Sequence, residues 1–302
     1  MKTCFRLTIL FLTLASALTS CNNEKPAPKT VSPTFSTYVA DSTNTASEAP
    51  NNEILYGLIT PTEISSIFSR LKVRYNDNIL NPISNRDLYT SNAKASINLG
   101  IYGVDFGYIK RFGIGQKMIN YIQTVFNLSN KLGIPDKYLT TPIKRMESES
   151  TSPDTIMALV NKSYKDIEDH LRKDGRESTA GLMLMGGWVE ALYITSELLY
   201  DPQHPDKQVV EKIAQQKYTL NSLLNFMRNY YDDPVVVYYT KKLIFLKRYF
   251  DTFDIYFKIG DLKIDINRKV LKAKGCDMTI SPETLEKIRA YVVKLRTEMV
   301  TP

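Results

Sequence analysis

The stretch STAGLMLMGGWVEALYI, Ser178 to Ile194, sets the strongest constraint on what this chain folds into. It holds the single tryptophan, Trp188, three glycines and one acid, Glu190. At helical period, Leu182, Met185, Val189, Leu192, Ser196 and Leu199 form one stripe, and Leu184, Trp188, Ala191 and Thr195 form the next. Together the stripes cover most of the circumference. A helix apolar nearly all round is buried on all sides, so the rest of the chain must supply helices to surround it. It is not a membrane span. Only twelve uncharged residues separate Glu177 from Glu190, against about 20 for a bilayer, and a glutamate near the bilayer centre is costly.

The surrounding sequence has the same period. Pro61 stands near a helix start, followed by Ile64, Ile67, Phe68 and Leu71. Asp87 to about Lys110 reads as a long helix. Gln116 to Lys131 puts Met118, Ile122, Val125 and Phe126 on one face and stops at Gly133 and Pro135. Asp136 to Glu149 is a weaker helix. Ser152 caps a clearer one, with Pro153 in its first turn and Gly175 past its end. Lys207 to Tyr230 follows. From Asp233-Pro234 the apolar pattern runs beyond twenty residues, which favours helix over the strand propensity of "VVVYY". Ser281-Pro282-Glu283 opens the last helix with a cap, a proline and a first-turn acid. Between residues 260 and 280 the period breaks down and partly alternates, as in a short hairpin. Strands alternating with helices are absent, so a doubly wound sheet is not expected. The predicted fold is all-α: one domain of eight or nine antiparallel-packed helices, as an irregular bundle or a solenoid, with one possible short β-hairpin near 260–280.

Glycine inside a helix costs about 1 kcal/mol relative to alanine, so the repeated glycines need a reason. Gly100, Gly103 and Gly107 recur at spacings of three and four in "INLGIYGVDFGYI", and Gly186 and Gly187 lie in the apolar helix. The expected reason is close packing of the two glycine-faced helices. Each also carries one acid in apolar surroundings, Asp105 and Glu190. These two are the candidate site. They form either a structural, hydrogen-bonded pair or a polar pair facing a cavity, for ligand binding or hydrolytic chemistry.

Other chemistry is sparse. "GVDFGY" and "FGIGQKM" follow no strand and do not make a dinucleotide loop. His170 and His204 have no second ligand at metal spacing, and no serine sits in a nucleophile elbow. Cys276 reads as a buried or idle thiol. Lys241, Lys242, Lys247 and Arg248 interleave with aromatics, but at helical spacing the aromatics read as core and the cations as a solvated face. No cofactor, metal or nucleic acid is predicted.

The start of the chain directs it to a membrane surface. Lys2 and Arg6 precede the apolar run Leu7–Leu18, of signal-peptide length. The run ends in Leu18-Thr19-Ser20-Cys21, which resembles a bacterial lipobox. Residues 1–20 are then a lipoprotein signal peptide, with lipid on the Cys21 sulfur and fatty acylation of its new amino group. Loss of Lys2 and Arg6 lowers the formal charge from +7 by two, a mild excess that permits but does not require anionic partners. Residues 21–52, rich in Pro, Ser, Thr, Asn and Ala, read as a disordered tether spanning about 30 Å. Residues 53–302 form the helical domain. With Cys4 removed and Cys21 lipidated, Cys276 has no cysteine to pair with.

The segments "PTEISSIF", "NLGIYGVDFGYI", "YIQTVFNLSNKLGIP", "GLMLMGGWVEALYI" and "TISPETLEKI" occur in this order over most of the folded part. In them the chain resembles an uncharacterised family of Bacteroidetes-type all-helical lipoproteins. The resemblance implies a lipid-anchored cell-envelope protein, in the outer membrane, with an all-helical body and no established activity or catalytic residues. After Cys21, "CNNEKP" offers only Glu24 as an acid, so either the periplasmic or the surface face fits. Two functions are expected from these readings. One is a non-enzymatic binding or scaffold protein with a protein or small-molecule partner. The other is a ligand-binding or hydrolytic protein using Asp105 and Glu190.

Overall fold

The computed structural model describes residues 67–148, 162–163, 166–257, 262–265, 270–273 and 276–302. Cys21, the tether and the helix starts at Pro61 and Ser152 lie outside them. Helix starts follow local chemistry. The side chain of Ser91 accepts the N–H of Lys94 and begins α1, Asn92–Phe112. Gly113, at φ 67°, ends it in a left-handed cap. After one residue the chain re-enters α2, Gly115–Lys131, which stops at Gly133 (φ 62°). Helix α3 is Lys137–Ser148, and a helical stretch over 166–173 ends at Gly175. The apolar helix is α4, Glu177–Leu198. Asp206 caps α5, Lys207–Met227, through the N–H of Val209. Asp233 caps α6, Pro234–Phe250, and Ser281 caps α7, Pro282–Val300, each with proline in the first turn. Each such cap satisfies a backbone donor the helix itself leaves orphaned.

Two boundaries differ from the sequence reading. The stretch from Asp87 is not yet α-helix: Ile83–Leu88 is 3-10, and Ser91 sets the true start. The long pattern from Pro234 also stops early, at Phe250. There Lys247 pairs with Asp251 and the Thr252 hydroxyl donates to Tyr249 O, closing a turn. Ile255–Tyr256 then forms strand β1, using the β propensity of those residues. The expected hairpin is present. Strands β2, Leu262–Asp265, and β3, Val270–Ala273, pair antiparallel, with Leu262 opposite Ala273. β1 pairs with β4, Asp277–Met278, at the base. No helix among the described residues is long and apolar enough to cross a membrane.

Helix α4 is the hub. Every residue from Ala180 to Glu190 is buried. Its neighbours are α1, α5, α6 and α7. Trp188 Nε1 donates to Thr219 Oγ1 of α5 at 2.8 Å, which satisfies the one polar atom of the largest side chain in the helix. Arg296 and Arg289 of α7 reach Glu190 and Glu197 of α4 in reverse order, so α7 runs antiparallel to α4. Helix α1 is different. Ile97 meets Gly186 and, further along both helices, Asp105 meets Glu190; α7, antiparallel to α4, meets α1 in reverse order too, Met299 at Asn98 and Arg296 beside Asp105. The two glycine-bearing helices therefore run side by side in the same direction. Chain neighbours joined by short links pack antiparallel. α1 and α4 are separated by α2 and α3, so this restriction does not apply to them.

Candidate functional site

The parallel approach of α1 and α4 creates the site. A methyl on Gly186 would lie 2.1 Å from Ile97 O, and one on Gly100 would lie 1.9 Å from Met183 O. Backbone therefore sits against backbone at both positions, and only glycine fits. Gly187 is looser: a methyl there would be in ordinary contact, 3.4 Å from Gly100 O. Gly103 and Gly107 depart from the sequence reading. Both are exposed, and a methyl on either would meet nothing within 4 Å. They share the helix with Gly100 but do not mediate its packing.

One turn beyond Gly100 and Gly186, the structure brings together the two acids singled out in the sequence. Asp105 and Glu190 are both 0 % exposed. From α7, Arg296 makes a fork on Glu190, Nε to Oε2 at 2.9 Å and Nη2 to Oε1 at 3.0 Å. The same Nη2 donates to Ile79 O at 3.2 Å, and the guanidinium lies 4.6 Å from the Tyr193 ring centroid. Asp105 Oδ2 accepts the backbone N–H of Asn81 at 3.0 Å. Its Oδ1 receives no donor, although the carboxyl is hydrogen-bonded to Glu190.

Two ionised carboxylates have no hydrogen to share, so one of them carries a proton. Burial pushes both carboxyls up. Asp105 goes well above the usual range, because the Glu190 charge adds to its burial, and only the Arg296 charge and the Asn81 N–H oppose this. For Glu190, the charge and hydrogen bonds of Arg296 and the hydrogen bond from Asp105 pull against burial. Asp105 is therefore the protonated partner. Glu190 is the ionised partner of Arg296. One positive and one negative charge remain, which is the only inexpensive arrangement for ions at this depth.

A shell of neutral groups continues from Asn81, itself fully buried. Its Nδ2 donates to Tyr89 Oη and to Asn98 Oδ1, both at 3.0 Å. Its carbonyl accepts Tyr121 Oη at 2.8 Å. Tyr89 Oη donates to Val300 O at 2.8 Å, and Asn98 Nδ2 donates to Met299 O at 3.0 Å. Burial raises the phenols of Tyr102 and Tyr121 far above their ordinary value, so they stay neutral donors. Arg296 and Asn81 escaped the sequence reading. A signal for Arg296 existed: it lies four residues after Val292 and three before Met299, on the inward stripe of α7, yet it reads as part of a charged tail.

The remaining candidates do not join this cluster. Cys276 is buried, its thiol raised by burial, with Gln215 Nε2 at 3.8 Å. His170 contacts Gly133 O at 3.3 Å and His204 pairs with Asp201. Among the described residues, no three His, Cys, Asp or Glu side chains stand close enough to hold a metal. A recess of about 230 Å³ lies elsewhere, lined by Lys137, Tyr138 and Arg145 of α3 and by Lys162 and Asp166. Lys162 and Asp166 are already paired with each other. The chain matches no family model, no curated protein and no solved structure.

Proposed function

We propose that this protein is a cell-envelope lipoprotein, held on the outer membrane by lipid on Cys21, whose helical body is a non-enzymatic binding or scaffold module. The observation that carries the second half is the closure of the acid pair. Catalysis or ligand capture needs a reacting atom within hydrogen-bond reach of an accessible carboxyl. Asp105 and Glu190 have no exposed surface; both Glu190 oxygens are held by the Arg296 fork, and Asp105 Oδ2 by the Asn81 N–H. Such a set orients helices, and it leaves the outer faces of the bundle for partners. The first half is supported by "LTSC" at the end of an apolar run of signal-peptide length and by the polar tether that follows. The test is metabolic labelling with a palmitate analogue in a bacterial host. The wild-type chain is expected to take up label and lose residues 1–20, and Cys21→Ala to remain unlabelled and unprocessed. Equal labelling of the two, or none of either, rejects the anchor.

A further inference from the structure

The outer face of α6 is unusual for a surface helix. Its seventeen residues contain Lys241, Lys242, Lys247 and Arg248 and no acid. At helical spacing, Tyr238, Lys241, Ile244, Phe245 and Arg248 form one exposed stripe. Tyr238 is 50 % exposed, Ile244 42 % and Phe245 41 %. The sequence reading placed these aromatics in the core, but the structure divides them. Tyr239 and Phe250 turn inward, while Tyr238 and Phe245 face solvent. Antiparallel α7 extends the patch. Tyr291 stacks on Phe245 with centroids 5.1 Å apart, Tyr249 packs edge-on against both, and exposed Lys294 lies one turn further along α7. The rings are thus fixed in place by one another.

The charges sort in the same way. Lys242, Lys247 and Lys287 are each paired, with Glu298, Asp251 and Glu283. Lys241, Arg248 and Lys294 have no carboxylate within ion-pair distance among the described residues. Arg248 instead lies over the Phe245 ring at 5.6 Å. An ordered platform of aromatic and aliphatic groups bordered by uncompensated cations matches one kind of surface in particular. At an anionic bilayer, tyrosine and phenylalanine settle at headgroup level while lysine and arginine meet lipid phosphates.

We propose that the α6–α7 face, centred on Tyr238, Phe245 and Tyr291 and flanked by Lys241, Arg248 and Lys294, docks on an anionic lipid surface. The lipid anchor on Cys21 enters only as what keeps the domain close to a bilayer, so the docking rests on that reading for proximity and not for chemistry. Attraction of this kind contributes about a fivefold factor in partitioning for each cation at the surface and weakens as salt screens it.

The test replaces Phe245 with tryptophan in the full chain and adds vesicles containing brominated lipid, with or without phosphatidylglycerol. Native Trp188 is 3 % exposed and supplies the unquenched baseline. Phe245→Trp is expected to show strong extra quenching on anionic vesicles and little on zwitterionic ones. Lys241→Glu, Arg248→Glu and Lys294→Glu together should abolish that excess. Flotation of the protein with zwitterionic vesicles separately reports the anchor. If the protein floats but Phe245→Trp is quenched no more than wild type on anionic vesicles, the docking is wrong and the anchor stands. If it does not float, excess quenching on anionic vesicles still supports the face, and its absence overturns it. A Phe245→Trp signal that depends on protein concentration without vesicles assigns the face to a second copy of the chain and also overturns the proposal.

Discussion

A buried guanidinium needs its partner more than a buried carboxyl does, because arginine cannot discharge itself by releasing a proton, whereas a carboxyl neutralises itself by taking one. That asymmetry fixes the expected behaviour of Arg296, Glu190 and Asp105. Glu190→Gln removes the only ionised partner in the Arg296 fork. Breaking such a pair costs about 3–5 kcal/mol when nothing replaces it. Here Asp105 can release its proton and supply the missing charge, so the loss in denaturant midpoint should correspond to less than that range. The double variant Asp105→Asn/Glu190→Gln removes this rescue and should cost more than the two single changes summed. An additive result would mean that the carboxyls are not coupled. Asp105→Asn alone retains an acceptor for Asn81 and a donor toward Glu190, and near neutral pH it should cost little. It should also alter the pH profile. Because the folded Asp105 carboxyl is raised, the folded state holds a proton that the unfolded chain has released. Its stabilising effect is complete below the unfolded value, near pH 4, and is lost as pH rises toward the raised folded value, at about 1.4 kcal/mol per pH unit. Unfolding free energies measured from pH 4 upward should therefore fall more steeply for wild type than for Asp105→Asn. Parallel curves would place the proton elsewhere. Asp105 and Glu190 were legible in the sequence as lone acids in apolar helices. Their roles were not, because those depend on an arginine more than a hundred residues away from Glu190 along the chain.

At the scale of the elements, caps were more legible than ends. Asp233 and Ser281 announce their helices with a side-chain acceptor followed by proline, a purely local device. The end of α6 at Phe250 is followed by strand pairing of Ile255–Tyr256 with Asp277–Met278, twenty or more residues later, which no local pattern contains. The glycines show the same division. Spacing places Gly100, Gly103 and Gly107 on adjoining positions of α1, but only contact with α4 shows which of them is enclosed. Gly100→Ala and Gly186→Ala each drive a methyl into a carbonyl oxygen, at 1.9 and 2.1 Å. Overpacking of this kind costs about 1–3 kcal/mol, more than the gain of about 1 kcal/mol in helix propensity. Both variants should melt lower than wild type. Gly103→Ala and Gly107→Ala meet open space and should melt higher, and Gly187→Ala should be neutral or slightly stabilised. Thermal midpoints of the five alanine variants check the ordering. Equal midpoints for Gly100→Ala and Gly103→Ala would reject the close approach of α1 and α4.

For the whole molecule, the all-α class followed from helical periodicity, but the parallel α1–α4 pair and the return of the end of α7 to α1 did not, since both are long-range choices. That return is specific. The last carbonyls of a helix have no partner within it. In α7 they are met from α1 and from the segment before it: Lys94 Nζ donates to Glu298 O at 2.8 Å, Asn98 Nδ2 to Met299 O and Tyr89 Oη to Val300 O. Met299 is fully buried as well. The C-terminal turn therefore fastens the irregular stretch around Asn81 and Tyr89, which supplies the Asn81 donor to Asp105. Removing residues 299–302 takes away two of those acceptors and the Met299 side chain, leaving Tyr89 Oη with only its longer bond to Asn81 Oδ1 at 3.2 Å and Asn98 Nδ2 with only Lys94 O, where a buried N–H without a partner costs about 1–3 kcal/mol. The stretch before α1, rather than the helices, should open first, because it has few internal hydrogen bonds of its own. Trypsin should then cut after Arg86 much faster in the shortened protein, while circular dichroism still reports a folded helical body. Tyr89→Phe, which deletes only the hydroxyl, should move in the same direction by a smaller amount. Cleavage after Arg86 at the wild-type rate in both variants would show that the stretch holds without the C-terminal turn, and that the acid pair keeps its Asn81 donor independently of it.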